Sequence, residues 1–196
     1  MSRVPRYGRL LIAALIIIAG LFVVVRLGAM TSDSAELAFV VRLVHVVAGL
    51  AWLGEVATVN FVLLPALSRA TPGQRVILLE LVFPLVFRLA TVLAGTAVAA
   101  GLVLALAITD GDLLSLFDSA RGLRIVIGGT LGAGLFAFHL FQESGMEGSL
   151  ATRLAATRDD PEAADLILRR LRIVPRVGLA LLLVIVVLMS AAARLA

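Results

Sequence analysis

The fold of this chain is decided by stretches such as residues 37–64, LAFVVRLVHVVAGLAWLGEVATVNFVLL, in which only Arg42 and Glu55 carry a formal charge. A helix needs about 20 mostly apolar residues to cross the hydrocarbon core of a bilayer. Of the 196 residues, 61% are hydrophobic and 15% are charged. Soluble domains average about 45–50% apolar and about 25% charged residues, and one of this size could not bury so much apolar surface. The composition therefore predicts an integral membrane protein.

Five stretches are long and apolar enough to span a bilayer, and no segment shows the period-two alternation of a transmembrane barrel. The predicted spans are residues 10–30, 37–64, 80–108, 123–141 and 174–193. We therefore expect an all-α fold, in which residues 1–196 form one polytopic membrane domain with five transmembrane helices. Residues 27–29 fit a signal-peptide cleavage pattern poorly, which favours an uncleaved first helix.

The arginines predict the orientation, because cytoplasmic segments of membrane proteins are enriched in basic residues. All 17 basic residues are arginine, and placing the N-terminus inside puts eleven of them on the inner side and five on the outer side. We therefore expect a multi-pass protein of the plasma (inner) membrane with its N-terminus inside. The loop at residues 142–172 is then cytoplasmic. Within it, Asp160 and Pro161 form a helix start, which predicts an interfacial helix that leads into the last span with a kink at Pro175.

Several polar side chains fall inside the predicted spans. Burying an ionisable group in the hydrocarbon core costs free energy, so such groups usually have a partner or a function. Glu55 lies well inside the second span, and Arg88, near the inner end of the third, is its candidate partner. Asn60 and His139 belong to the same half of the bilayer. We therefore predict one intramembrane polar cluster of Glu55, Asn60, Arg88 and His139. A helix-locking ion pair is the favoured interpretation of this cluster, and a proton or ion path is the alternative.

A second group of side chains is predicted near the outer side: Glu36, Arg42, His45, Trp52 and Arg124. His45 and Trp52 are seven residues apart, which is about two helical turns, so they share a helix face. Trp52 is expected to fill the bundle core beneath His45.

Histidines and methionines are the candidate ligands for a metal ion or haem. The predicted depths of His45 and His139 differ by more than about 10 Å, which argues against one haem held by both. Haem b on a single histidine, or on a histidine and a methionine, stays open. Cu(I) prefers thiolate and thioether ligands. The chain has no cysteine, so Met30 is the predicted soft partner of His45.

Residues 42–54, RLVHVVAGLAWLG, resemble the opening motif of the copper-resistance protein D family, in which a helix carries His, Trp seven residues later, and then Gly. Residues 60–67, NFVLLPAL, resemble the end of that helix, and the stretch from Gly122 to His139 is similar in layout. Glu55 stands where that family usually has a second glycine. The resemblance implies copper uptake or tolerance at the inner membrane. A weaker similarity to the membrane protoporphyrinogen oxidase family implies that His45 is a haem or substrate residue.

Three functions follow as alternatives: a copper-handling membrane component, a haem-binding redox protein or haem-linked oxidase, and an accessory structural subunit of a membrane complex. No hydrolase or nucleotide-binding motif is present, and the arginines lie between apolar runs, which indicates lipid headgroups as partners instead of nucleic acid. Whether the protein is an enzyme stays open, and a role other than catalysis is the favoured interpretation. Gly128 and Gly132 form a small-xxx-small pair, which predicts tight packing within the monomer or, alternatively, a homodimer.

Overall fold

A computed structural model of the protein describes residues 34–146 and 161–194, and within these ranges the chain is helical and contains no strand. Its α-helices are α1 Ser34–Thr58, α2 Leu64–Arg69, α3 Pro72–Ile77, α4 Phe83–Ile108, α5 Ala120–Met146 and α6 Pro161–Ala193. The π-helical segments Val59–Leu63 and Leu78–Val82 join α1 to α2 and α3 to α4. A 3-10 helix, Leu113–Asp118, lies between α4 and α5. The predicted span at residues 10–30, which includes Met30, lies outside the described residues.

Four stretches of the described residues are long and apolar enough to cross a membrane. They are Ala38–Arg69, Phe83–Ile108, Ala120–Phe141 and Arg172–Ala193. Each overlaps a predicted span, and the first is longer than predicted because the π-helical segment carries the helix on to Arg69. The all-α class is confirmed for the described residues. The fifth span and the orientation stay predictions.

The two ends of the bundle are closed by different connections. At the turn end, residues 70–71, Thr71 caps α3, and its backbone N–H donates to Gln74 Oε1 at 2.9 Å. At the loop end, residues 109–119, Asp110 and Gly111 turn the chain with φ angles of 49° and 89°. The Asp112 side chain then caps the 3-10 helix by accepting a hydrogen bond from the Leu114 N–H at 3.1 Å.

The helices extend into the segment that the sequence assigns to a cytoplasmic loop. Helix α5 continues to Met146, and α6 begins at Pro161, so residues 142–146 and 161–172 are helical. The helix start at Pro161 agrees with the predicted capping pattern. Pro175 lies inside α6, which is one continuous helix. The interfacial position of residues 161–171 stays a prediction.

The four long helices form a ring in which α1 packs against α4, α4 against α5, α5 against α6, and α6 against α1. Neighbours run antiparallel: Arg124 and Gly128 of α5 contact Ala191 and Met189 of α6 in reversed order. The ring is closed where the first π-helical segment, Val59–Leu63, meets α6. Each long helix therefore has two neighbours.

The core of the ring changes in character along its axis. Near the turn end it consists of large side chains: Val59, Leu64, Leu67, Leu79 and Phe83. In the middle, Trp52 is 5% exposed and packs with Ala90, Ala94 and Leu182, which confirms the expectation that Trp52 fills the core. Towards the loop end, α4 buries only small residues. The outer helix surfaces expose large apolar side chains such as Phe61, which is 72% exposed, and in a bilayer these meet acyl chains.

Candidate functional site

His45 is partly buried on α1 and faces the backbone of α4. Its Nδ1 lies 2.7 Å from the carbonyl oxygen of Ala97. A carbonyl oxygen can only accept, so Nδ1 carries a proton and donates it, and a neutral ring then keeps its lone pair on Nε2. Within the described residues, His45 makes no other hydrogen bond. Metal-binding histidines are usually oriented in this way, with the other ring nitrogen donating to a backbone carbonyl or a carboxylate.

The imidazole of His45 occupies a space that Gly101 leaves free. A Cβ added at Gly101 would lie 2.8 Å from His45 Cε1 and 3.0 Å from His45 Nδ1. Ala97, one turn away on α4, is buried as well. Small side chains on this face of α4 therefore allow the ring to reach a main-chain acceptor. Sequence reasoning missed Gly101, although the small residues repeated every three or four positions on α4 are a visible signal.

His139 contacts the same helix at a different depth. Its Nε2 lies 3.2 Å from the Phe87 carbonyl oxygen and 3.0 Å from Thr91 Oγ1, and its ring packs against that of Phe87. Thr91 and Phe87 precede Ala97 by six and ten residues, about 9 Å and about 15 Å along a helix. This agrees with the depth difference predicted for the two histidines, and it does not bring both rings to one haem.

The predicted cluster of Glu55, Asn60, Arg88 and His139 stays a prediction, and the structure describes the following contacts of its members. Glu55 Oε2 is buried and has no hydrogen-bond partner among the described residues, and Arg88 is exposed on α4. Asn60 Nδ2 donates to the carbonyl oxygens of Val56 and Pro175, at 2.8 and 2.9 Å. Asn60 Oδ1 is buried, and no described residue bonds to it. Within residues 34–146 and 161–194, no ion pair joins Glu55 to Arg88.

The predicted outer cluster stays a prediction as well. Arg42 is exposed, and Trp52 lies in the middle of the core. Arg124 Nη1 donates to the Ala191 carbonyl oxygen at 3.3 Å. That oxygen belongs to the last turn of α6, where a positive charge complements the helix dipole. Glu36 lies in the first turn of α1. Among the described side chains, no hydrogen bond joins any two of Arg42, His45, Trp52 and Arg124.

The sequence analysis missed a pattern that links these polar groups: each interface of the ring carries at least one hydrogen bond from a side chain to a backbone carbonyl. The donors are His45 to Ala97, His139 to Phe87, Arg124 to Ala191, and Asn60 to Pro175. Hydrogen bonds between membrane helices contribute about 0.6 kcal/mol each on average. Polar residues inside apolar spans signal such bonds, but their acceptors are main-chain atoms that a sequence does not single out.

The two glycines of the predicted pair on α5, Gly128 and Gly132, differ in how closely other side chains pack against them. A Cβ added at Gly128 would lie 2.7 Å from Met189 Cε, whereas one added at Gly132 would meet nothing within 4 Å. Packing within the monomer therefore occupies Gly128. A homodimer through Gly128 and Gly132 stays a prediction.

Among residues 34–146 and 161–194, no group of three or more His, Cys, Asp or Glu side chains is placed to hold a metal ion. Comparison of the chain with protein-family models, with curated proteins and with solved structures finds no match. Of the two histidines, His45 has one nitrogen fixed by a backbone carbonyl and the other without a hydrogen bond among the described residues.

Proposed function

We propose that this protein is a copper-handling component of the inner membrane, active in copper uptake or tolerance, with His45 as the residue that meets the metal ion. The observation that carries the proposal is the 2.7 Å hydrogen bond from His45 Nδ1 to the Ala97 carbonyl oxygen. It holds the neutral ring in one tautomer with Nε2 available as a ligand. The motif resemblance of residues 42–54 supports the same assignment.

The residue chemistry fits copper as cargo. Imidazole suits copper, and the absence of cysteine means that no thiolate holds the ion permanently. A single oriented histidine favours a site that binds and releases an ion during transfer. Under the predicted orientation, His45 belongs to the half of the bundle that faces the outer side of the membrane.

Copper analysis of purified protein tests this proposal. The detergent-solubilised protein is loaded with Cu(I) under reducing conditions and desalted, and bound copper is measured for the unsubstituted protein, His45→Ala and His139→Ala. His139→Ala is the matched control, because it also removes an imidazole that bonds to an α4 carbonyl. We expect retained copper to fall at least tenfold in His45→Ala and to stay unchanged in His139→Ala. Copper that is absent, or independent of His45, contradicts the proposal.

Haem binding is tested by recording the absorption spectrum of the same preparation. A Soret band that disappears in His45→Ala would replace copper by haem b as the ligand of this residue. The unsubstituted protein without such a band, together with copper that depends on His45, supports the copper assignment.

A second candidate function, an accessory structural subunit, is favoured by the placement of one side-chain-to-carbonyl hydrogen bond at every interface of the ring. In that case His45 and His139 have equivalent roles, and each stabilises one helix–helix contact by a hydrogen bond. His45→Ala and His139→Ala would then lower the free energy of unfolding by similar amounts, and neither would change copper retention.

A further inference from the structure

α1, together with the π-helical segment that continues it, contacts α6 at two depths. These contacts define how the residues of the two helices are aligned along the bundle axis, and the same alignment can be continued towards the loop end. Asn60 Nδ2 bonds to the Pro175 carbonyl oxygen at 2.9 Å. Trp52, eight residues earlier, shares the middle core cluster with Leu182, seven residues after Pro175. The two helices are antiparallel and rise equally per residue, so one more step of seven residues brings His45 level with Met189.

The depths agree when they are counted from the Asn60–Pro175 bond. His45 is fifteen residues from Asn60, about 22 Å along a straight helix, and Met189 is fourteen residues from Pro175, about 21 Å. A step of seven residues also preserves the helix face to within about 20°. Leu182 belongs to the core cluster that contains Trp52, and Met189 lies one step of seven residues further along α6.

The contact that the structure shows for Met189 is with α5. A Cβ added at Gly128 of α5 would lie 2.7 Å from Met189 Cε and 3.6 Å from Met189 Sδ. Gly128 is buried, and Met189 is partly buried. The thioether therefore packs where α5 and α6 meet. This contact, beside a glycine of α5, lies at the depth to which the alignment of α1 with α6 has been extended.

His45 and Met189 are thus placed in the same way. The imidazole lies in the space left by Gly101 on α4, and the thioether lies in the space left by Gly128 on α5. Gly101 is seven residues before the end of α4 and Gly128 eight residues after the start of α5, so both lie about 10–12 Å from the loop end. At one depth, two helices contribute side chains with metal-binding atoms, and the other two contribute glycines that clear room for them.

We infer that His45 Nε2 and Met189 Sδ form a two-residue binding site for Cu(I) in the loop-end half of the bundle, an inference that rests on the proposed copper-handling function. Cu(I) is a soft ion that prefers thioether and also takes imidazole. This site names Met189, on the last helix, as the soft partner of His45 in place of the predicted Met30. Met146, at the other end of α5, is eighteen residues from Gly128 and serves as a control.

Competition for Cu(I) tests the site. The detergent-solubilised protein withdraws Cu(I) anaerobically from a coloured bicinchoninate complex, and the affinity is compared for the unsubstituted protein, Met189→Leu, Met146→Leu and His45→Ala. Leucine keeps nearly the same volume as methionine and removes only the sulfur. We expect Met189→Leu to weaken Cu(I) binding at least tenfold and Met146→Leu to leave it unchanged.

The outcomes separate this site from the function on which it rests. Binding that is lost in His45→Ala but unchanged in Met189→Leu overturns the Met189 site and leaves the copper proposal intact. No Cu(I) binding by the unsubstituted protein overturns both.

If Met189→Leu does not fold, X-ray absorption at the copper edge decides the question. The protein used is a selenomethionine-labelled Met30→Leu/Met146→Leu variant, in which Met1 and Met189 are the remaining methionines. Selenium in the copper coordination shell supports the site, and its absence overturns it.

Discussion

The two halves of the helix ring are packed in opposite ways. Towards the turn end, large side chains such as Phe83 and Leu67 pack together, yet two buried polar atoms, Glu55 Oε2 and Asn60 Oδ1, find no hydrogen-bond partner in residues 34–146 and 161–194. Towards the loop end, α4 presents alanine and glycine, and the His45 imidazole reaches its backbone. The small residues of α4 leave room for a whole imidazole ring beside the main chain, because a Cβ at Gly101 would collide with it. The turn-end half is therefore suited to stability and the loop-end half to a site.

The largest change in the free energy of unfolding is expected for a substitution in the turn-end half, at Asn60. Asn60→Asp replaces an amide donor by a carboxylate whose oxygens face the carbonyl oxygens of Val56 and Pro175. An unpaired buried charge of this kind should lower the free energy of unfolding by about 3 kcal/mol, measured by denaturant titration in mixed micelles. Asn60→Leu is the control, because it also removes the unpartnered Oδ1, and it should change stability by less than about 1 kcal/mol. Equal effects of the two substitutions would contradict the geometry.

The next largest effect is expected in the loop-end half, at Gly101. In Gly101→Ala the added methyl group must displace the His45 ring, and overpacking of this kind costs about 1–3 kcal/mol. We also expect weaker Cu(I) binding, because the ring loses its orientation. Gly129→Ala on α5 is the matched control: its added Cβ meets nothing within 4 Å. Surface substitutions of that kind usually change stability by less than about 0.5 kcal/mol. Parallel losses in both variants would show that His45 is not seated against Gly101.

A smaller change, and an increase in stability instead of a loss, is expected for a substitution at Glu55. Glu55→Leu removes a buried carboxylate oxygen that has no partner, and it should raise the free energy of unfolding by about 1–2 kcal/mol. Copper binding should not change, because Glu55 lies in the turn-end half, away from His45. A loss of stability in this variant would mean that Glu55 has a partner in the membrane.

The smallest effect concerns Glu55 and Arg88 as a pair. The double-mutant cycle of Glu55→Gln and Arg88→Gln should give a coupling energy within about 0.5 kcal/mol of zero, since no ion pair joins the two among the described residues and Arg88 is exposed. A coupling above about 1 kcal/mol would instead restore the ion pair that the sequence predicts.

The position of a residue along the helix bundle could be predicted from the sequence, whereas the direction in which its side chain points could not. Residue counting predicted the spans of the described helices, the packing of Trp52 in the core and the separation of the two histidines along the bundle. It also paired Glu55 with Arg88. That pair requires both side chains to point towards each other, which depends on how the helices rotate.

The π-helical segments explain part of this difficulty. Val59–Leu63 and Leu78–Val82 each have a wider turn than an α-helix, so the face on which the following residues lie is shifted. Hydropathy does not mark such segments. The acceptors of His45 and Asn60 escaped prediction for a related reason, because they are main-chain oxygens and every residue has one.

The use of main-chain acceptors makes the helix contacts unequal in their tolerance of sequence change. A substitution at Ala97 or Pro175 leaves the carbonyl oxygen in place, so only the size and shape of the new side chain matter there. A substitution at the donor, His45 or Asn60, removes the bond outright. A lineage of such proteins would therefore be free to vary one side of each contact among residues of suitable size, while the other side is constrained in its chemistry.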